Sequence, residues 1–155
     1  DVDDGKARMK HALESGAGLA KLKEMIAAQG GDAGVCDDVT RLPQAKHLVP
    51  VPAPHDGYVA DMDTTAIGYC AQDLGAGRKQ KTDVIDPAVG LVMNVLIGDF
   101  VKQGDALATL HLNKPEQAER AIARMQQAVK LTADKPAIPP LVYASVSPEG
   151  VARGM

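Results

Sequence analysis

The stretch LGAGRKQKT, residues 74–82, sets three cations, Arg78, Lys79 and Lys81, beside two glycines, Gly75 and Gly77. Residues of these types hold phosphate where backbone N–H groups converge at a helix N-terminus and a lysine reaches the anion's oxygens. This loop instead follows the C-terminal end of an expected helix, where the dipole is negative and favours cations by itself. That leaves two readings: a solvated basic loop behind a C-capping glycine, or a mobile loop that closes over an anion held elsewhere. In neither is it a self-sufficient phosphate site.

The other residues capable of chemistry are scattered. His11 falls on a helix, His47 and His55 flank a proline-rich strand, and His111 lies within another strand. They form no H-x-x-x-H or HExxH spacing and complete no nucleophile triad. Asp61, Asp63, Asp83 and Asp86 lie near turns or caps, where aspartate is expected. Cys36 and Cys70 are far apart with no C-x-x-C pattern, and read as two reduced structural thiols. No catalytic residue, cofactor site or metal site is assigned to this chain.

Lys114 has a more specific context. GDFVKQ at 98–103 leads into GDALATLHLNK at 104–114, and APHDGYV occupies 53–59. These pieces resemble biotinyl and lipoyl domains, in which a G-D-x-V-x-x-G turn precedes an apolar strand and the modified lysine sits at the tight turn beyond. Lys114 falls at that place. But Pro115 follows it, and proline cannot donate the hydrogen bond of a returning strand. Lys114 therefore reads as a solvated lysine beside a helix start, and the two carrier-like pieces are separated by a helix and the glycine-rich loop.

The elements that must position these residues follow from periodicity. Helical spacing runs from Gly5 to Gln29 in two arms interrupted by SGAG at 15–18, and closes at Gly30 and Gly31. Residues 32–43 are polar and turn-rich. The prolines of 48–54 exclude helix and suit an edge strand, followed by a turn at 55–57 and a second strand over 58–62. Asp63 or Thr64 caps a helix running to Leu74, which Gly75 closes. A strand is expected over 89–97, a turn at Gly98 and Asp99, and an alternating strand over 106–112. Pro115 then opens a helix to about Leu131, with Ala118, Ile122, Met125 and Val129 on one face. Three prolines break the chain at 136–140, 141–146 is a possible last strand, and the final residues are expected to fray.

Composition narrows the function classes. The 155 residues carry a formal net charge of −3, which offers no broad basic field to nucleic acid or an anionic membrane. Aromatic residues make up 3 %, without tryptophan, too few for base-stacking platforms. No apolar run approaches the roughly 20 residues that cross a bilayer, so a soluble, cytoplasmic protein is expected. The first residue is aspartate, and a piece of a longer polypeptide is expected.

Five motifs in order, QGGD at 29–32, DGYV at 56–59, LGAGR at 74–78, DPAVG at 86–90 and GDFVKQG at 98–104, resemble the C-terminal part of pyrimidine-nucleoside and thymidine phosphorylases. The resemblance implies an α+β fold: a β-hammerhead, an interrupted half-barrel resembling a barrel-sandwich hybrid, with flanking helices. It implies a helical segment 1–32 left from a larger α/β domain, a linker 33–46, a hammerhead domain 47–135 and a tail 136–155. The full-length enzyme would cleave thymidine, uridine or deoxyuridine with inorganic phosphate, giving the base and a pentose 1-phosphate, by positioning and electrostatics. It would act as a homodimer through regions absent here, with the active-site residues upstream, so that this segment is inactive alone. Gly75, Gly77, Arg78, Lys79 and Lys81 would form a cleft-closing loop. The alternative is a non-enzymatic carrier-like or protein-interaction module.

Overall fold

A computed structural model describes residues 1–153. Its contacts divide the chain into two units, Asp1–Gln44 and a second from Ala45 onward.

In the first unit, α1 (Val2–Glu14) starts at Asp1, whose side chain accepts from the Asp4 amide. Asp3 and Asp4 add favourable negative charge in its first turn. The second arm, α2 (Ala17–Ala28), ends at Gly30, whose φ of 78° lets the Gly31 amide return to the Ile26 carbonyl at 2.9 Å. Residues 33–41 are not featureless: two short 3₁₀ turns, Ala33–Cys36 and Val39–Arg41, are capped by Asp32 and Asp38. Neither α1 nor α2 buries a side chain within this unit.

The second unit is built on β1 (His47–Pro52), β2 (Gly57–Met62), α3 (Thr64–Ala71), β3 (Gly90–Met93), β4 (Phe100–Val101), β5 (Ala106–Leu112), α4 (Ala118–Ala128) and β6 (Val129–Thr132). The strands form two antiparallel three-stranded sheets, in the orders β1-β5-β3 and β4-β2-β6. Prolines 50 and 52 confine β1 to an edge, while β5 is central and buries Leu107, Ala108, Leu110 and Leu112. These residues pack with Val51, Val59, Met125 and Cys70 in one core, so α4 contributes its apolar face. The mixed α+β class expected from the sequence is observed.

The separation of the two carrier-like pieces exists only along the chain. Val59 donates to the Asp99 carbonyl and accepts from the Gly98 amide, both at 2.8 Å. Ala53 and Gly104 to Asp105 are joined the same way, and Asp56 Oδ1 accepts from the Gln103 amide at 2.7 Å. Tyr58 and Phe100 meet edge to face across the strand pair.

Three expected elements need correction. The helix expected to run to Leu131 stops at Ala128, and Val129–Thr132 is a strand, paired with β2 through Met62↔Val129 and Tyr58↔Thr132. Val129 fits helical spacing with Ile122 and Met125, but a β-branched segment beside an open strand edge gains a ladder that further helix would forfeit. The strand expected over 89–97 covers only Gly90–Met93, because Asp99 Oδ2 accepts from the Leu96 amide and closes a turn. The tail strand lies at β7 (Ala144–Ser147) rather than 141–146, and β8 (Gly150–Arg153) pairs with it; residues 154–155, at the end expected to fray, lie outside the described residues. Among the described residues no helix is long and apolar enough to cross a membrane.

Candidate functional site

The glycine-rich loop grows out of α3. Asp63 caps that helix by accepting from the Ala66 amide at 2.9 Å, and its own amide donates to the Ala128 carbonyl at the end of α4. The last turn, Gln72–Ala76, is widened into a π turn, within which Gly75 leaves helical geometry with a φ of 112°. From there the chain leaves as a loop whose stem is closed by the Asp86 amide on the Gly75 carbonyl at 3.0 Å. Asp86 accepts in turn from Ala88 and from Asn113 Nδ2 at 2.7 Å, which fixes the stem to the end of β5. Those bonds hold the Asp86 carboxyl below the usual carboxylate range.

Within the loop, Arg78, Lys79 and Lys81 are all exposed. A phosphate cradle would need free backbone N–H groups at this turn. Instead Asp83 Oδ2 accepts from the amides of Lys79 and Gln80, at 2.9 and 3.1 Å, and these two bonds depress its pKa. Two of the loop's own N–H donors are thus occupied by its own carboxylate. Gln72 Nε2 also donates to the Arg78 carbonyl at 2.6 Å, tying the loop to the last turn of the helix.

Lys79 differs from its neighbours because it reaches back to Asp73. That carboxylate pairs with Lys79 Nζ on one oxygen and with Arg124 on the other, at 2.5 Å, while Arg120 stands 3.7 Å away. The hydrogen bond from Lys79, followed by the charges of Lys79, Arg124 and Arg120, lowers the Asp73 pKa against the opposing effect of burial. Arg124 also lies 6.0 Å from the centre of the Tyr69 ring, at the edge of cation–π range. Asp73, Lys79, Arg120 and Arg124 line a cleft of about 270 Å³ between α3 and α4, together with Gln117 and Cys70. Burial raises the Cys70 thiol pKa, with Asp73 adding and Arg124 opposing, so the thiol stays protonated near neutrality and is a poor nucleophile.

The structure therefore brings Lys79 into a charged cluster and leaves Arg78 and Lys81 in solvent. Asp73, Gln117, Arg120 and Arg124 went unrecognised in the sequence. Their one signal is the spacing of 117, 120 and 124, a polar stripe at helical period beside the apolar stripe of α4. Lys114 is exposed at the start of the 3₁₀ turn Pro115–Gln117 that precedes α4. Asp61, Asp63, Asp83 and Asp86 each accept a local backbone amide, as turn and cap residues do. Among the described residues no group of three or more His, Cys, Asp or Glu is placed to hold a metal ion.

Residues 58–132, which contain α3, the glycine-rich loop and the whole charged cleft, match the family described as pyrimidine nucleoside phosphorylase C-terminal domain. This segment carries a domain of that family. Over 146 residues, 94 % of its length, the chain is 38 % identical to the pyrimidine-nucleoside phosphorylase of Geobacillus stearothermophilus. It is 35 % identical over the same length to that of Bacillus subtilis. These alignments cover 34 % and 33 % of the relatives, so the chain spans about a third of the length of the curated relatives it matches. Of the five motifs, LGAGR, DPAVG and GDFVKQG lie wholly inside the segment matched to the phosphorylase C-terminal domain.

Proposed function

We propose that this chain is the C-terminal part of a phosphorylase that cleaves thymidine, uridine or deoxyuridine with inorganic phosphate, releasing the base and a pentose 1-phosphate. The observation that carries the reading is the family match over 58–132 together with relatives named pyrimidine-nucleoside phosphorylase across nearly the whole chain. Catalysis would rest on residues upstream of this segment, so the 155-residue chain alone is inactive.

In this reading the second unit is a β-hammerhead, in which α3 and the glycine-rich loop interrupt a carrier-like half-barrel. The interlocking of Ala53–Val59 with Gly98–Asp105 supports it. Residues 1–32 would pack on the larger domain through Met9, Leu13, Leu19 and Leu22, which are exposed here. Gly75, Gly77, Arg78, Lys79 and Lys81 form the loop that closes the cleft over bound anion, with Gly75 and Asp86 as its two stems. The enzyme would be a cytoplasmic homodimer, paired through regions outside this segment.

The test is phosphate-dependent release of thymine and uracil, followed in parallel for this chain and for the longer polypeptide that contains it. Release by the longer polypeptide alone is expected. Turnover by the 155-residue chain, or none by the longer one, would overturn the reading.

A further inference from the structure

We propose that the cleft between α3 and α4 is an oxyanion site that takes a phosphate group, either free or on a hydroxyl-bearing monoester. Lys79, Arg120 and Arg124 line it from two different elements, against the carboxylates of Asp73 and Glu116, leaving one positive charge in excess. One carboxylate cannot satisfy this set of donors: a guanidinium carries five N–H groups and an ammonium three. Asp73 takes one hydrogen bond from Arg124 and one from Lys79. Arg120, at 3.7 Å, is too far for one and has no hydrogen-bond acceptor among the described residues. A tetrahedral dianion can replace the water around two guanidinium groups and an ammonium that are partly or largely exposed, with bidentate geometry for arginine.

Gln117, in the wall of the cleft, also has an acceptor in want of a donor. Gln117 donates from Nε2 to the Asp73 carbonyl at 3.2 Å, and its Oε1 is buried with no partner. Exchanging its amide oxygen and nitrogen would set two acceptors against each other, so the orientation is fixed by that bond. A ligand that brings both negative charge and an O–H suits this arrangement. Phosphate, with its P–OH near neutrality, and a sugar or glycerol phosphate meet the requirement, whereas sulfate brings the charge alone. Asp73 competes for the same cations, so it acts as an internal occupant that an incoming anion must displace.

The proposal concerns residues of this chain and does not depend on phosphorolysis, so it is tested on the chain as it stands. Inorganic phosphate, glycerol 3-phosphate and sulfate are titrated at constant ionic strength, reading ¹H–¹⁵N signals of the Gln117 side-chain amide and of Arg120 and Arg124 Nε–H. Saturable shifts are expected with phosphate, with the ester, or with both, the tighter of the two identifying the source. Arg120→Ala, at a side chain 84 % exposed, should weaken binding about tenfold. Asp73→Asn should tighten it several-fold by removing the competitor; should that variant fail to fold, Arg120→Ala alone carries the test. Absence of saturation with both phosphate probes, binding indifferent to Arg120→Ala, or sulfate binding as tightly as phosphate would overturn the assignment.

Discussion

The Arg124 guanidinium donates to Asp73 Oδ2 at 2.5 Å and thereby ties α4 to the last turn before the glycine-rich loop. The pair is only partly shielded, with side chains 35 % and 25 % exposed, so its worth is modest. Arg124→Ala is expected to cost about 1 kcal/mol in urea unfolding, from a charge-assisted hydrogen bond discounted for solvent. In a double-mutant cycle with Asp73→Asn the two effects should fall short of additive, since both remove one interaction. Full additivity would show that the pair contributes nothing to stability.

The same carboxylate sets a pH dependence. Its folded pKa is depressed, first by the hydrogen bond from Lys79 and then by the cationic charges. The stabilisation is therefore complete above the unfolded value, about 4, and is lost as pH falls through the lower folded value. The stability difference between the parent chain and Asp73→Asn should hold steady from pH 7 to pH 5 and shrink below about pH 4. Asp83 and Asp86 titrate in the same direction, so the difference between variants is the quantity to follow, not stability alone.

Gly98 joins strain and contact at one turn. Its φ of 96° disfavours any side chain, and an added Cβ would stand 2.9 Å from the Ile138 side chain. Gly98→Ala is expected to cost about 1–2 kcal/mol. Combining it with Ile138→Ala should recover the part due to the clash and leave the part due to φ. Complete recovery would assign the whole cost to the contact.

Much of the second unit was legible because local signals agreed with tertiary placement. β5 occupies the expected 106–112, and α3 starts at its capping Asp63. β6 was not legible: Val129 satisfies a helical period and a strand period alike, and its partner strand lies some seventy residues earlier. The charged cleft failed for a related reason. Asp73 stands at a helix end, where an acid is locally unremarkable, and its partner Arg124 is 51 residues away. Sequence spacing exposed the loop's cations but not which one the fold would hold.

That distinction separates the three loop cations in a functional assay. Arg78 and Lys81 are exposed and form no ion pair among the described residues, whereas Lys79 is held by Asp73. Replacing Arg78 and Lys81 together by alanine should leave unfolding free energy within about 0.5 kcal/mol of the parent. If the loop closes over an anion in the longer enzyme, the same double variant should lower turnover about tenfold through misplaced closure. Lys79→Ala should instead move both quantities, because it also frees Asp73 from its nearest cation. Kinetics unchanged by the Arg78 and Lys81 substitutions would return this loop to a solvated turn behind α3.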